Sequence, residues 1–165
     1  MTNEIDAIRT ILRKAYQVEV DGYTFYSMVA DRSDKPAVQQ VFARLAADEA
    51  QHKAYLKNIM RGYEDAGAGS FRIDPRAPDL DELSSQVFTD AFRRQAQGAE
   101  SELGALSTGV LLELNAHDVF SQLARDEKDP AIRGFFTFLS DWEEQHLRLL
   151  ERLYEEVRQD FQLEG

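Results

Sequence analysis

Two stretches decide the fold of this chain: Leu45-Ala46-Ala47-Asp48-Glu49-Ala50-Gln51-His52 and Leu139-Ser140-Asp141-Trp142-Glu143-Glu144-Gln145-His146. They share one pattern, displaced by 94 positions. Extended outward without a gap, the match pairs residues 19–56 with 113–150 and gives 11 identities in 38 positions. Glu19 meets Glu113, Pro36-Ala37 meets Pro130-Ala131, Phe42 meets Phe136, and Gln51-His52 meets Gln145-His146. Unrelated sequences would agree at roughly 5–7% of positions, so an internal duplication is the better explanation.

Each half has helical spacing. Ile5, Ile8, Leu12, Ala15, Glu19, Gly22 and Tyr26 step by three and four, the seam of a helix packed in a bundle. This predicts a first helix over about 4–32. Asp34 and Pro36 then suit a cap and a first-turn proline. Val38, Phe42, Leu45, Glu49, His52, Leu56, Ile59 and Tyr63 continue the spacing in a second helix. So short a turn makes the two helices antiparallel neighbours.

Gly67, Gly69, Pro75 and Pro78 break the pattern over residues 64–78, a loop long enough to cross the bundle. Asp79 suits the cap of a short helix at about 80–96, and Gly98 interrupts it. Val87, Phe88, Ala91 and Phe92 give that helix an apolar face to cover the bundle or meet a partner. A third long helix carries Leu103, Leu106, Val110, Glu113, Ala116 and Phe120. Asp129-Pro130 opens a fourth, with Ile132, Phe136, Leu139, Glu143, His146, Leu150, Leu153 and Val157. The expectation is one all-α domain over residues 1–165: helix pair 4–62, crossover and short helix 63–98, helix pair 99–161. Two antiparallel pairs joined by a long crossover make a ferritin-like four-helix bundle.

Composition narrows the function. The chain has 165 residues with 19 Lys+Arg against 30 Asp+Glu, a formal charge of −11. That balance argues against non-specific nucleic-acid binding, which needs a basic face, and suits attraction of cations. The absence of cysteine excludes disulfides, thiolate zinc sites, iron–sulfur clusters and a cysteine nucleophile. No apolar run approaches the roughly 20 residues of a membrane span. Met1-Thr2-Asn3-Glu4-Ile5-Asp6 has no signal pattern, so the expected location is the cytoplasm. No phosphate loop, dinucleotide fingerprint, metalloprotease helix or serine elbow is present.

The informative residues are polar ones in the seam. Glu19, Glu49, His52, Glu113, Glu143 and His146 stand where apolar residues belong. A lone buried carboxylate costs several kcal/mol unless it is paired, protonated or bound to a cation. Four converging on one core would repel each other, and their repetition in phase rules out a patterning accident. A pair of cations resolves the conflict. Glu and His at i and i+3 lie one turn apart on the same helical face, so each Glu-x-x-His offers an oxygen and a nitrogen inward. Two single Glu and two Glu-x-x-His are the ligand pattern of di-iron and di-manganese bundles. Oxygen and imidazole donors without sulfur favour iron or manganese and fit zinc less well. The competing explanation makes the histidines satisfied core imidazoles and the glutamates members of buried ion pairs, but Lys and Arg lie mostly off the seam.

Other positions carry weaker expectations. Tyr26, seven after Glu19, can reach a metal-bound carboxylate with its hydroxyl, or simply pack. His117, beside the seam, is an ordinary partly buried histidine or a third imidazole near the site. Asp48 and Asp141 are solvated helix charges or acceptors that orient ligand histidines. Tyr23, Tyr55, Phe92, Phe135, Phe138 and Trp142 are read as packing residues.

With these motifs, the sequence is similar to the rubrerythrin group of the ferritin-like superfamily over roughly residues 5–62 and 100–157. The resemblance implies bridging roles for Glu49 and Glu143, outer positions for Glu19 and Glu113, and one metal each for His52 and His146. It implies two irons that pass between Fe(II) and Fe(III) while hydrogen peroxide or dioxygen is reduced to water. Two departures stand out. The carboxylate that such proteins typically carry three residues after the third-helix Glu is Ala116 here, and a cysteine-containing rubredoxin domain is missing, which implies an external electron donor. The expected function is a cytoplasmic di-iron oxidoreductase, working as a homodimer without nucleic acid or membrane. Ferroxidase-type iron handling or storage, which predicts many irons per chain or a cage, is the alternative. A non-catalytic interaction bundle is a third.

Overall fold

A computed structural model describes residues 2–66, 90–96 and 100–163. Among them are five helices: α1 (Thr2–Arg32), α2 (Pro36–Ala66), α3 (Asp90–Ala96), α4 (Glu100–Asp126) and α5 (Pro130–Leu163). There is no strand among the described residues. The helix pair expected at 4–62 runs over 2–66, and the pair expected at 99–161 over 100–163, differences of a few residues at helix ends. Of the short helix expected at 80–96, the described part is Asp90–Ala96. Asp79, Val87, Phe88, Gly98 and the crossover's glycines and prolines lie outside the described residues.

α1 packs along α2 and α4 along α5, while α1 and α4 meet across the bundle. This is the duplicated, two-pair arrangement of an all-α ferritin-like bundle. The seam residues form two apolar layers. One gathers Tyr26, Val38, Phe42, Leu45, Leu106, Leu150 and Leu153. The other gathers Leu12, Ala15, Leu56, Ile59, Phe120, Phe136, Leu139 and Trp142. Each buried Leu or Phe contributes about 1.5–3 kcal/mol of transfer free energy, so the layers stabilise a bundle that carries buried charge between them. Phe92 and Ala96 of α3 are buried in the first layer, so this helix covers the bundle. Gly109 lets α4 approach α5 closely, since a Cβ there would stand 3.0 Å from Leu150 Cδ1.

The two tight turns differ. Before α5, Asp129 Oδ1 accepts the N–H groups of Ala131 (2.8 Å) and Ile132 (3.3 Å), a side-chain cap as expected. Before α2 the equivalent position holds Lys35, which cannot accept. Asp34, expected as the cap, is one residue too early and stays exposed. The cap comes instead from α3: Gln95 Oε1 accepts the Ala37 N–H at 2.8 Å. Lys35 turns its ammonium to Glu102 at 2.8 Å, tying this turn to the start of α4. No described helix is long and apolar enough to cross a membrane.

Candidate metal centre

The duplicated spacing carries all six seam residues to the level between the two apolar layers. Glu19 comes from α1, Glu49 and His52 from α2, Glu113 from α4, and Glu143 and His146 from α5. All are at most 3% exposed. They fall into two overlapping sets, Glu19, Glu49, His52 and Glu143, and Glu49, Glu113, Glu143 and His146. In each set the donor atoms lie within 4.8 Å of one another. Glu49 and Glu143 belong to both.

Both imidazoles present Nδ1 to the carboxylates. His52 Nδ1 lies 3.0 Å from Glu143, 3.2 Å from Glu19 and 3.5 Å from Glu49. His146 Nδ1 lies 3.3 Å from Glu49, 3.5 Å from Glu143 and 3.7 Å from Glu113. The rings stack at 5.9 Å between centroids. Glu49 fits because Gly22 faces it, as a Cβ there would stand 3.3 Å from Glu49 Cδ.

Electrostatics fit a place built for cations. Burial, then repulsion from Glu143 and Glu49, pushes Glu19 well above the ordinary carboxylate range. Burial and Glu49 do the same to Glu113. Burial also opposes the charge of Glu49, but contacts with Glu19, His146 and His52 hold it well below. Glu143 is lowered against burial and Glu49 by His52 and His146. Burial would discharge the imidazoles, yet Glu143 and Glu19 raise His52, while Glu113 and Asp48 raise His146. Without metal, protons on Glu19, Glu113 and the two imidazoles would offset part of the repulsion. Several atoms are left over even so. Glu19 Oε1, Glu49 Oε1, both Glu143 oxygens and His146 Nδ1 are buried with no hydrogen-bond partner. Such atoms are rare in native cores, and here they face one another. Oxygen and imidazole donors in two sets sharing two carboxylates fit a pair of hard or borderline cations.

The surrounding residues sort the weaker expectations. The Tyr26 hydroxyl donates to Glu113 Oε1 in a buried hydrogen bond. Burial and the Glu113 charge raise the phenol well above its ordinary value, so it stays a donor. Asp48 is buried and lies 3.2 Å from His146 Nε2, with Arg44 at 3.3 Å on its outer side. Asp141 is exposed on α5. His117 is half-buried, belongs to neither set and contacts the Ser140 carbonyl at 3.1 Å. Tyr23 proves 37% exposed, under the Lys53 ammonium at 3.6 Å, so it is a surface residue. Trp142 packs its ring edge-on against His52 at 4.5 Å. A cleft of about 30 Å³ between α1 and α4, lined by Gly22, Glu49, Leu112, Glu113, Asn115 and Ala116 among others, reaches the acidic cluster.

No curated protein and no solved structure matches the chain. A family model described as Rubrerythrin matches residues 10–154. Four carboxylates and two imidazoles directed into a duplicated helical bundle agree with that match, and the chain belongs to the rubrerythrin family, a ferritin-like di-iron family.

Proposed function

We propose that the chain is a di-iron oxidoreductase that reduces hydrogen peroxide or dioxygen with electrons from a donor. The observation that carries this is the pair of four-residue donor sets sharing Glu49 and Glu143. In this reading those two would be shared by both metals, Glu19 and His52 would complete one half of the centre, and Glu113 and His146 would complete the other. Four carboxylates offset two divalent ions; the donor chemistry favours iron or manganese over zinc, and the family match favours iron. When bound, an iron pair would supply the redox chemistry, the two electrons that with two protons turn hydrogen peroxide into two waters.

The protein's own residues set the conditions. The apolar layers above and below exclude bulk water. Tyr26 fixes the orientation of Glu113 through its hydroxyl. Gly22 and Ala116, equivalent in the duplication, keep side-chain bulk out of the cleft beside Glu49 and Glu113. A volume near 30 Å³ accommodates a water-sized molecule, which supports a small oxidant over an organic substrate. The outer face of α4 presents Gly104, Ser107, Thr108, Leu111, Leu114 and Asn115, with Leu111 64% and Leu114 43% exposed. In a chain of charge −11 this face is mostly uncharged, with exposed Asp118 at its C-terminal end, so a homodimer is part of the proposal, as is a cytoplasmic location.

Anaerobic Fe(II) titration, followed by rapid mixing with peroxide or with air, tests the reading. Two irons per chain, ferric absorbance rising faster with peroxide or dioxygen than without, and no further iron uptake are expected. Uptake of many irons per chain would favour iron storage. Failure to bind or oxidise Fe(II) would favour the non-catalytic bundle.

A further inference from the structure

The six candidate ligands obey the duplication, but their surroundings do not. A shift of 94 carries Tyr26 to Phe120, Arg44 to Phe138 and Asp48 to Trp142. Each pair sets a polar side chain against an aromatic one, and all three polar members support the same half of the centre. Tyr26 donates to Glu113. Asp48, 3.2 Å from His146 Nε2, accepts from that nitrogen when Nδ1 faces the metal, and Arg44 at 3.3 Å steadies Asp48. The other half has aromatic rings in those places. Phe120 stacks on Phe136 at 6.5 Å and has no atom to offer Glu19. Phe138 packs on Trp142 at 5.3 Å, and Trp142 lies against His52 at 4.5 Å. His52 Nε2, Glu19 Oε1 and Trp142 Nε1 are left buried without hydrogen-bond partners.

An acceptor on the far nitrogen of a ligand histidine fixes its tautomer and ring angle and strengthens the near nitrogen as a donor. A histidine lacking one is a weaker and less oriented ligand. We infer that the two halves of the centre are unequal: the Glu113–His146 half, positioned by Asp48 and Tyr26, takes the first metal and holds it, while the Glu19–His52 half takes the second more weakly and exchanges it. This rests on the ligand reading above. Asp48 is a positioning residue in this scheme, acting through His146.

Titration of the metal-free protein with Co(II), followed by its d–d absorbance, tests it without turnover. Wild type should bind two equivalents in two resolved steps. Removal of such an outer partner typically lowers metal affinity 10–100-fold. Asp48→Ala should therefore weaken the tighter step by about 10–100-fold and leave the looser one within a few-fold. Asp48→Asn, which keeps an acceptor oxygen without its charge, should recover part of the loss. Helical circular dichroism identifies any variant that misfolds, and the wild-type curve decides the matter alone in that event. Two equivalents bound in one indistinguishable step, or equal weakening of both steps in a folded Asp48→Ala, would overturn the inequality and leave the metal centre standing. Binding of no Co(II) would overturn the ligand assignment itself.

Discussion

At the scale of single residues, the six candidate ligands are unequal in one further respect. Glu49 and Glu143 stand in both donor sets, whereas Glu19 and Glu113 each stand in one. Losing a shared carboxylate should therefore cost both metals, and losing an outer one should cost one. Glu49→Ala is expected to bind less than half an equivalent of Fe(II) tightly, and Glu19→Ala about one, by anaerobic dialysis. Two irons retained at wild-type affinity in Glu49→Ala would refute the bridging role. The residues in the seam were legible in sequence because a charged side chain in an apolar register is costly and its repetition is visible. The partners of those residues were not. Asp48 and Asp141 looked alike on paper, each close in sequence to a Glu-x-x-His. Only the rotation of α2 and α5 buries the first beside His146 and leaves the second exposed. The burial of Glu102 is illegible in sequence for a similar reason. The duplication pairs it with Ile8, and its burial depends on Lys35 arriving from another turn.

At the scale of elements, the four long helices followed from spacing alone, because period-3.6 apolar stripes over this many residues have no other use. The caps followed only where they are local. Asp129 is adjacent to the helix it caps, so its role is written in the sequence. Gln95 caps a helix that starts 59 positions earlier, at Pro36, which no local pattern reports. The contact also assigns a task to α3, whose Phe92 and Ala96 are buried in the same layer. Removing a capping side chain costs about 0.5–2 kcal/mol. Gln95→Ala should lower the unfolding free energy in urea by about 1 kcal/mol, and Asp129→Ala by a similar amount. The two differ in where the damage lands. Hydrogen exchange in Gln95→Ala should quicken in α3 as well as in the first turn of α2, whereas Asp129→Ala should affect α5 alone. Equal protection of α3 in both variants would show that the Gln95 contact does not hold that helix.

At the scale of the whole molecule, the acidic layer sets how stability depends on pH and metal together. In the metal-free fold, Glu19, Glu113, His52 and His146 are all raised. The fold therefore holds protons that the unfolded chain, with reference values of 4.5 and 6.5, releases. Groups raised in this way contribute stability that is full below the unfolded value and lost as pH climbs through the folded one. Glu49 and Glu143 are lowered and act in the opposite sense. Their contribution is present above 4.5 and disappears as pH falls through their folded values. Metal-free protein should thus be most stable on the mildly acidic side and should weaken from about pH 6.5 to pH 8, above the imidazole reference value and toward the raised folded ones. Metal reverses the slope, because its ligands must be deprotonated and affinity rises as protons leave. Stabilisation by a ligand grows with the ratio of its concentration to Kd, so the gap in Tm between loaded and metal-free protein should widen steadily across that interval. Scanning calorimetry at several pH values, with and without excess Co(II), measures both slopes. A metal-free Tm that is flat or rising from about pH 6.5 to pH 8 would mean that protons do not hold the empty layer together, and that the acidic side chains find relief in some other way.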